Sequence, residues 1–250
     1  MKKNIFLIIS IVLFFACEDK QEKDCAGVEG GTATANNCDE CVGGNTGFHE
    51  NYCGTVTDIN LNVYKTVRIG DQVWMAENLK TTHFRNGDEV SGPGGAGAGE
   101  FPSYDVYDYA YGLHYNWYVG YDSRYISPEG WHIPTEEEWE VLIEYLGGEP
   151  AAGGKMKSIG TVEGGDGLWN APNIGATNES GFTALPAGYR WYGGGGDFTN
   201  LGSSAGFWSS SGNSTEGSAN PSLILENNTT GVSIGGSDNK SYYSLRCIKD

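Results

Sequence analysis

The stretch Pro134-Thr135-Glu136-Glu137-Glu138-Trp139-Glu140-Val141-Leu142-Ile143-Glu144-Tyr145-Leu146-Gly147-Gly148 is the one clear helix in the sequence. Thr135 is a good N-cap, and Glu138 three residues on completes a capping box. Three glutamates in the first turn suit the positive end of the helix dipole. Trp139, Leu142, Ile143 and Leu146 repeat at helical spacing and form one apolar stripe. Gly147-Gly148 then stops the helix at Tyr145 or Leu146.

Outward from this helix the chain reads as short strands. Val56–Ile59 and Val63–Ile69 flank Asn60-Leu61-Asn62, a hairpin turn, and Gly70-Asp71 begins a second turn before Gln72-Val73-Trp74-Met75. Tyr242–Ile248 reads as a final strand. Much of the rest is Gly, Asn, Ser and short aromatic runs. The 39 glycines lack collagen periodicity and accompany 12% aromatic residues, a composition that predicts a loop-rich fold rather than disorder.

Several blocks look like one family: Tyr64-Lys65-Thr66-Val67-Arg68-Ile69-Gly70, Trp74-Met75-Ala76-Glu77-Asn78-Leu79-Lys80-Thr81, Tyr111-Gly112-Leu113-His114-Tyr115-Asn116-Trp117-Tyr118, and Pro128-Glu129-Gly130-Trp131-His132-Ile133-Pro134-Thr135. So do Gly175–Phe182, Ala184–Arg190, Phe207–Ser211 and Leu245–Asp250. Together, from about residue 56 to 250, they resemble the Fibrobacter succinogenes major paralogous domain. That resemblance implies an α+β, C-type-lectin-like fold of short twisted antiparallel strands with one or two helices and long irregular loops. It also implies kinship with formylglycine-generating enzymes. Many members carry a Cys where this chain has Ser127, which here leaves Cys247 unpaired. Ser91–Gly99 reads as an inserted, Gly-rich surface loop.

The N-terminus reads as an export signal. Met1-Lys2-Lys3-Asn4 precedes an apolar run from Ile5 to Ala16 that is too short to span a membrane as a helix. Phe14-Phe15-Ala16-Cys17 resembles a bacterial lipobox, which makes Cys17 the lipidated first residue of the mature chain. Residues 18–24 are a polar, acidic tether similar to the signal that places lipoproteins on the outer face of the outer membrane. The expected organisation is residues 1–17 signal and anchor, 18–24 tether, 25–53 a cysteine-rich spacer and 54–250 the main domain. The expected location is the cell surface, with the membrane engaged through the lipid alone. The formal charge of −17, or −19 once Lys2 and Lys3 are removed, argues against nucleic acid as a partner.

Cys25, Cys38, Cys41 and Cys53 fall within about 30 residues that have almost no apolar content, which in an exported chain predicts two disulfides stapling a small module. Three pairings are open, and a zinc site built on Cys38-x-x-Cys41 is the alternative. The resemblance to Gly-rich spacer repeats points to Cys53 as a partner, because their further Cys is replaced here by Glu29.

No catalytic constellation is legible. Cys247 is the single cysteine of the main domain, so the copper-binding cysteine pair of formylglycine-generating enzymes has no counterpart. His49, His83, His114 and His132 lack ligand spacing, and Gly193–Gly196 lacks the Lys-Ser/Thr of a phosphate loop. Trp74, Trp117, Trp131, His132 and Trp139 read as core, and Trp208, although carried among the ligand candidates below, also reads more readily as core than as a ligand platform. The expectation is therefore a non-enzymatic chain that binds a polysaccharide or another surface protein, with a structural subunit of the envelope as the alternative. Its candidate ligand residues lie between Trp191 and Asn239: Trp191, Tyr192, Asp197, Asn200, Trp208, Asn213, Glu226, Asn227 and Asn228. No cofactor is expected. Their oxygens suit Ca²⁺ chemically, but no calcium motif is legible.

Overall fold

The expected hairpin forms strands β3 (Tyr52–Thr57) and β4 (Val63–Ile69), paired antiparallel in the computed structural model of the chain. The structure describes residues 21–92, 104–106, 108–192, 197–215 and 217–250. Cys17 with its signal segment, nearly all of the Ser91–Gly99 insertion and Gly193–Gly196 lie outside the described residues. The turn starts one residue earlier than expected. Asp58 accepts hydrogen bonds from the Asn62 backbone (2.9 Å) and the Tyr64 hydroxyl (2.6 Å), so Ile59 leaves the strand and is exposed.

Upstream, β1 (Thr34–Ala35) and β2 (Cys41–Val42) form a two-stranded spacer sheet. The disulfides pair Cys25 with Cys41 and Cys38 with Cys53. Asp24 accepts backbone N–H bonds from Ala26, Val28 and Ala33, so the spacer's hydrogen bonding begins within the stretch read as tether. Cys53 itself lies in β3, so the second disulfide ties the spacer covalently to the main domain.

Downstream come β5 (Gln72–Met75), β6 (Tyr104–Asp105), β7 (His114–Asn116), α1 (Trp117–Tyr121), β8 (Trp131–His132), α2 (Glu136–Tyr145) and α3 (Glu149–Met156). Strands β9 (Tyr189–Arg190), β10 (Phe198–Thr199), β11 (Ser204–Trp208), β12 (Ala219–Glu226), β13 (Val232–Asp238), β14 (Tyr242–Ser244) and β15 (Ile248–Lys249) complete the chain. They build a five-stranded sheet in the order β3-β4-β5-β15-β8 and a larger one in the order β10-β9-β14-β11-β12-β13, to which β7 and β6 add beside β14. The pairing is antiparallel except for a single β11–β14 register pair, Phe207 with Ser244. This is an α+β arrangement of mixed sheets with few helices.

The capping box of α2 is present: Thr135 Oγ1 accepts the Glu138 N–H, and Glu138 Oε2 accepts the Thr135 N–H at 2.8 Å. Its stripe of Trp139, Leu142, Ile143 and Leu146 is buried against Trp74, Phe182 and Phe207. Trp139 stacks on Trp74 with ring centres 4.6 Å apart, an arrangement that adds about 0.5–1.5 kcal/mol beyond area burial. Helix α3 is not among the sequence expectations; Gly153-Gly154 weakens its local helical signal. Those glycines let the helix backbone lie directly on Gly231 and Gly175, where any Cβ would collide with a carbonyl.

The expected single strand Tyr242–Ile248 is two strands in two sheets. The chain crosses between them at Arg246, which is fully buried. Its guanidinium donates to Asn78 Oδ1 (2.8 Å) and to the carbonyls of Met75, Phe182 and Thr183, and lies 4.3 Å from the Phe182 ring centre. Arg246 thus joins both sheets and the 182–183 loop, a demand that no continuous strand meets. Beside it Cys247 is free and buried among Tyr64, Trp117 and Leu245, acting as a small apolar residue, and burial pushes its thiol pKa up.

Candidate functional site

Two clefts meet around residues 120–133, which follow the Tyr111–Tyr118 block and run into the Pro128–Thr135 block. Helix α1 is short, and Trp117 anchors it by donating its indole N–H to the Ser209 carbonyl at 3.0 Å. Tyr121 stacks on Trp117 (4.6 Å, 21° between planes) yet is 53% exposed. One ring face is held and the other is free. The chain then turns through Asp122, whose carboxylate takes two hydrogen bonds from the Arg124 guanidinium, at 2.9 and 2.7 Å. Tyr125 follows in the left-handed backbone region (φ 54°) and is 56% exposed. Its ring lies 5.0 Å from the Arg85 guanidinium, so it too has one face supported.

Arg85 fixes the ridge from below. Its Nε donates to the Ser127 carbonyl (2.6 Å), and its Nη2 donates to Ser127 Oγ (2.9 Å), Pro128 O (2.6 Å) and Trp131 O. Two clefts flank this ridge and share Ile126 and Ser127. The one of about 250 Å³ is lined by Thr57, Asp58, Ile59, Arg85, Pro128 and Glu129. The other, of about 210 Å³, is lined by Gly120, Tyr121, Tyr125, His132, Ile133 and Ser210.

His132 was read as core, but its side chain is one-third exposed and sits on the wall of the second cleft. Nε2 contacts Glu138 Oε1 at 2.9 Å and Nδ1 contacts Asp250 Oδ1 at 2.7 Å. The hydrogen bonds that it donates to Glu138 and then to Asp250 hold its pKa above the ordinary histidine value, against the effect of burial. Burial raises the Glu138 pKa, but the hydrogen bonds from His132 and the Thr135 N–H outweigh it, so Glu138 ends below the usual carboxylate range. With both ring nitrogens engaged by carboxylates, His132 acts as a strut and has no free nitrogen to serve as a base.

The candidates between Trp191 and Asn239 are not assembled into one site. Trp191 and Tyr192 are each 52% exposed, and Lys240 lies over the Tyr192 ring at 5.0 Å. Asp197 is exposed, and Asn200 donates to the Tyr189 hydroxyl. Asn213 Oδ1 accepts from Thr215 N and Ser218 Oγ, closing its own loop. Glu226 and Asn228 are exposed, while Asn227 donates to the carbonyls of Asn170 and Ala171. Asn213 lies just before β12 and Glu226 at its far end. The Asn213 N–H donates to Asn220 Oδ1 at 3.0 Å, and the six extended steps from Asn220 to Glu226 set the two about 20 Å apart. Trp208 takes its core reading and not its place among the ligand candidates. It is fully buried, its indole N–H donates to Tyr115 O at 2.8 Å, and it presents no face to a ligand.

Trp74, Trp117, Trp131 and Trp139 are buried as expected. Lys157 is also buried, and its three ammonium hydrogens meet the carbonyls of Ile174, Glu226 and Thr229 at 2.8–3.0 Å, a packing role. Among the described residues, no group of three or more His, Cys, Asp or Glu is placed to hold a metal ion, and no helix is long and apolar enough to cross a membrane.

The family model for the Fibrobacter succinogenes major domain matches residues 67–249, from within β4 to the last strand. The chain belongs to that family. No curated protein and no solved structure matches it. The matched span of this Fibrobacter succinogenes major domain contains most of the ridge and both of its tyrosines. Asp58 and Ile59 in the first cleft fall outside it.

Tyr121 and Tyr125 were missed because nothing local marks them. Their neighbours Asp122, Ser123 and Arg124 look like ordinary loop. What makes the tyrosines platforms is support from Trp117 and from Arg85, the latter 40 residues away in sequence. The one available signal was two tyrosines bracketing a short polar turn.

Proposed function

We propose that this chain is a non-catalytic surface lipoprotein, anchored through Cys17, whose lectin-like domain binds polysaccharide. One observation carries the reading: Tyr121 and Tyr125 stand half-exposed on either side of the polar turn, each braced on one face, beside a preformed cleft of about 210 Å³. Rigid aromatic faces bind with little loss of conformational freedom, and clefts with an apolar floor and a few polar groups are the usual form of small binding sites. The non-catalytic part rests on His132 being engaged at both nitrogens, and on His114 and Cys247 being buried in the core.

A glycan array probed with residues 18–250, with calcium and again with chelator, tests this. Saturable binding to one glycan class is expected, and it should survive chelator. A blank array with a folded protein would remove polysaccharide and bring a surface-protein partner forward. The anchor is tested separately: Cys17→Ala should abolish incorporation of labelled fatty acid and release the protein from the membrane fraction.

A further inference from the structure

We propose that the Tyr121–Tyr125 cleft selects an uncharged polysaccharide chain and turns away glycans carrying carboxylates or sulfates. This rests on the polysaccharide-binding reading above and adds the site and the charge class of the ligand. The first argument is the free aromatic faces. Tyr121 is backed by Trp117 and Tyr125 by Arg85, so each offers its outer face to the apolar side of a sugar ring. Gly120 and Ile133 make the floor between them apolar.

The second argument is what has become of the cations. An acidic glycan needs a guanidinium or ammonium with donors to spare. Arg85 commits Nε and Nη2 to the carbonyls and hydroxyl of its own ridge, and Tyr125 covers its face. Arg124 is bound to Asp122 and Asp88. His132 sits between Glu138 and Asp250. Asp58 and Glu129 add two further carboxylates along the adjoining cleft. Among the described residues an incoming anion therefore meets carboxylates, two cations already paired with carboxylates, and Arg85, which keeps only Nη1 uncommitted. Sugar hydroxyls, by contrast, can donate to such carboxylates. The net charge of −17 acts in the same direction at long range.

The test is affinity gel electrophoresis of residues 18–250, which retain every described residue, through gels containing β-glucan, xylan, mannan or polygalacturonate. We expect retardation by at least one of the neutral polymers and none by polygalacturonate. Tyr121→Ala and Tyr125→Ala should each weaken neutral binding about tenfold, the equivalent of roughly 1.4 kcal/mol of stacking. Tyr121→Phe keeps the ring and should bind like the parent. The Trp191→Ala/Tyr192→Ala double variant should also bind like the parent. If Tyr121→Ala perturbs the Trp117 stack and unfolds the chain, Tyr125→Ala alone decides. Neutral binding that survives both cleft substitutions but is lost in the Trp191/Tyr192 variant overturns the cleft and leaves the polysaccharide reading standing. Equal binding of polygalacturonate overturns the charge selection. No retardation by any polymer overturns both readings.

Discussion

From Gln21 to Cys53 the chain is held by two disulfides and by side chain–backbone hydrogen bonds, with only Ala33, Val42 and Tyr52 buried among its apolar side chains. The main domain beyond it buries Trp74, Trp117, Trp139, Trp169 and Trp208 almost completely, and its one cysteine is unpaired. Covalent staples stand in where there is too little apolar surface for a core, and burial suffices where there is enough. The ridge that carries Tyr121 and Tyr125 belongs to the second regime, since Trp117 is a core residue and the half-buried Arg85 is held by backbone carbonyls of the same domain. The site should therefore be indifferent to the redox state of the spacer.

The largest effect tests the core side of this contrast. Trp139→Ala opens a hole between Trp74, Phe182 and Phe207 and should destabilise the main domain by about 3–5 kcal/mol in urea titration. Trp139→Phe should cost much less, because the Trp139 indole N–H is buried without a partner and its loss strands nothing. Equal losses from the two variants would show that the full indole, and not merely an aromatic ring, is needed to fill this centre.

Arg246→Met comes next. It leaves Asn78 Oδ1 and the carbonyls of Met75, Phe182 and Thr183 without their shared donor, at about 1–3 kcal/mol for each buried group left unsatisfied. At the low end for four such groups the expected total is about 4 kcal/mol, with faster amide exchange in β14 and β15 together, because Arg246 stands where the chain passes from one sheet to the other. Exchange confined to one of those strands would contradict that role.

Reduction probes the other side. Breaking the Cys25–Cys41 and Cys38–Cys53 bonds should cost the spacer about 2–4 kcal/mol, more than a module with three buried apolar side chains can replace. Hydrogen exchange should then show residues 21–50 unprotected while α2 and β11–β12 keep their protection. Loss of protection in α2 would mean that the Cys38–Cys53 tie to β3 supports the domain and not only its stalk.

How much of this was legible follows the same division. Helix α2 could be read to within a residue because its capping box and apolar stripe are local signals. The disulfide pattern could be narrowed to three pairings, and only the fold chose among them. Helix α3 was not among the expectations, and Gly153-Gly154, which weakens its local signal, serves contact with Gly231 and Gly175 far along the chain. The terminal run looked like one strand because alternation cannot show where a strand changes sheets. The ridge was invisible for a related reason: an exposed tyrosine and a buried one are the same letter, and the residues that brace Tyr125 lie elsewhere. Trp208 shows the same ambiguity in the opposite sense: its letter allowed core and ligand platform alike, and the sheet takes it inside.

The smallest effect concerns the strut beside the cleft. His132 has its folded pKa raised above 6.5, so its contribution is complete below the unfolded value and is lost as pH rises through the folded one. Glu138 has its folded pKa lowered below 4.5, so its contribution is present above that value and is lost as pH falls through the folded one. The His132–Glu138–Asp250 cluster is therefore strongest between about pH 4.5 and 6.5, where imidazolium and carboxylates coexist. With the side chains about a third exposed or more, solvent screening limits it to less than about 1 kcal/mol. The effect should be local: the Asp250 amide, which donates to Gly130 O at 3.0 Å, should exchange more slowly near pH 5.5 than expected from its intrinsic rate, and lose that protection by pH 8. His132→Gln should flatten the profile while leaving the urea midpoint of the core almost unmoved. If the midpoint falls as far as it does for Arg246→Met, His132 is part of the core after all, and the division between braced surface and buried centre is drawn in the wrong place.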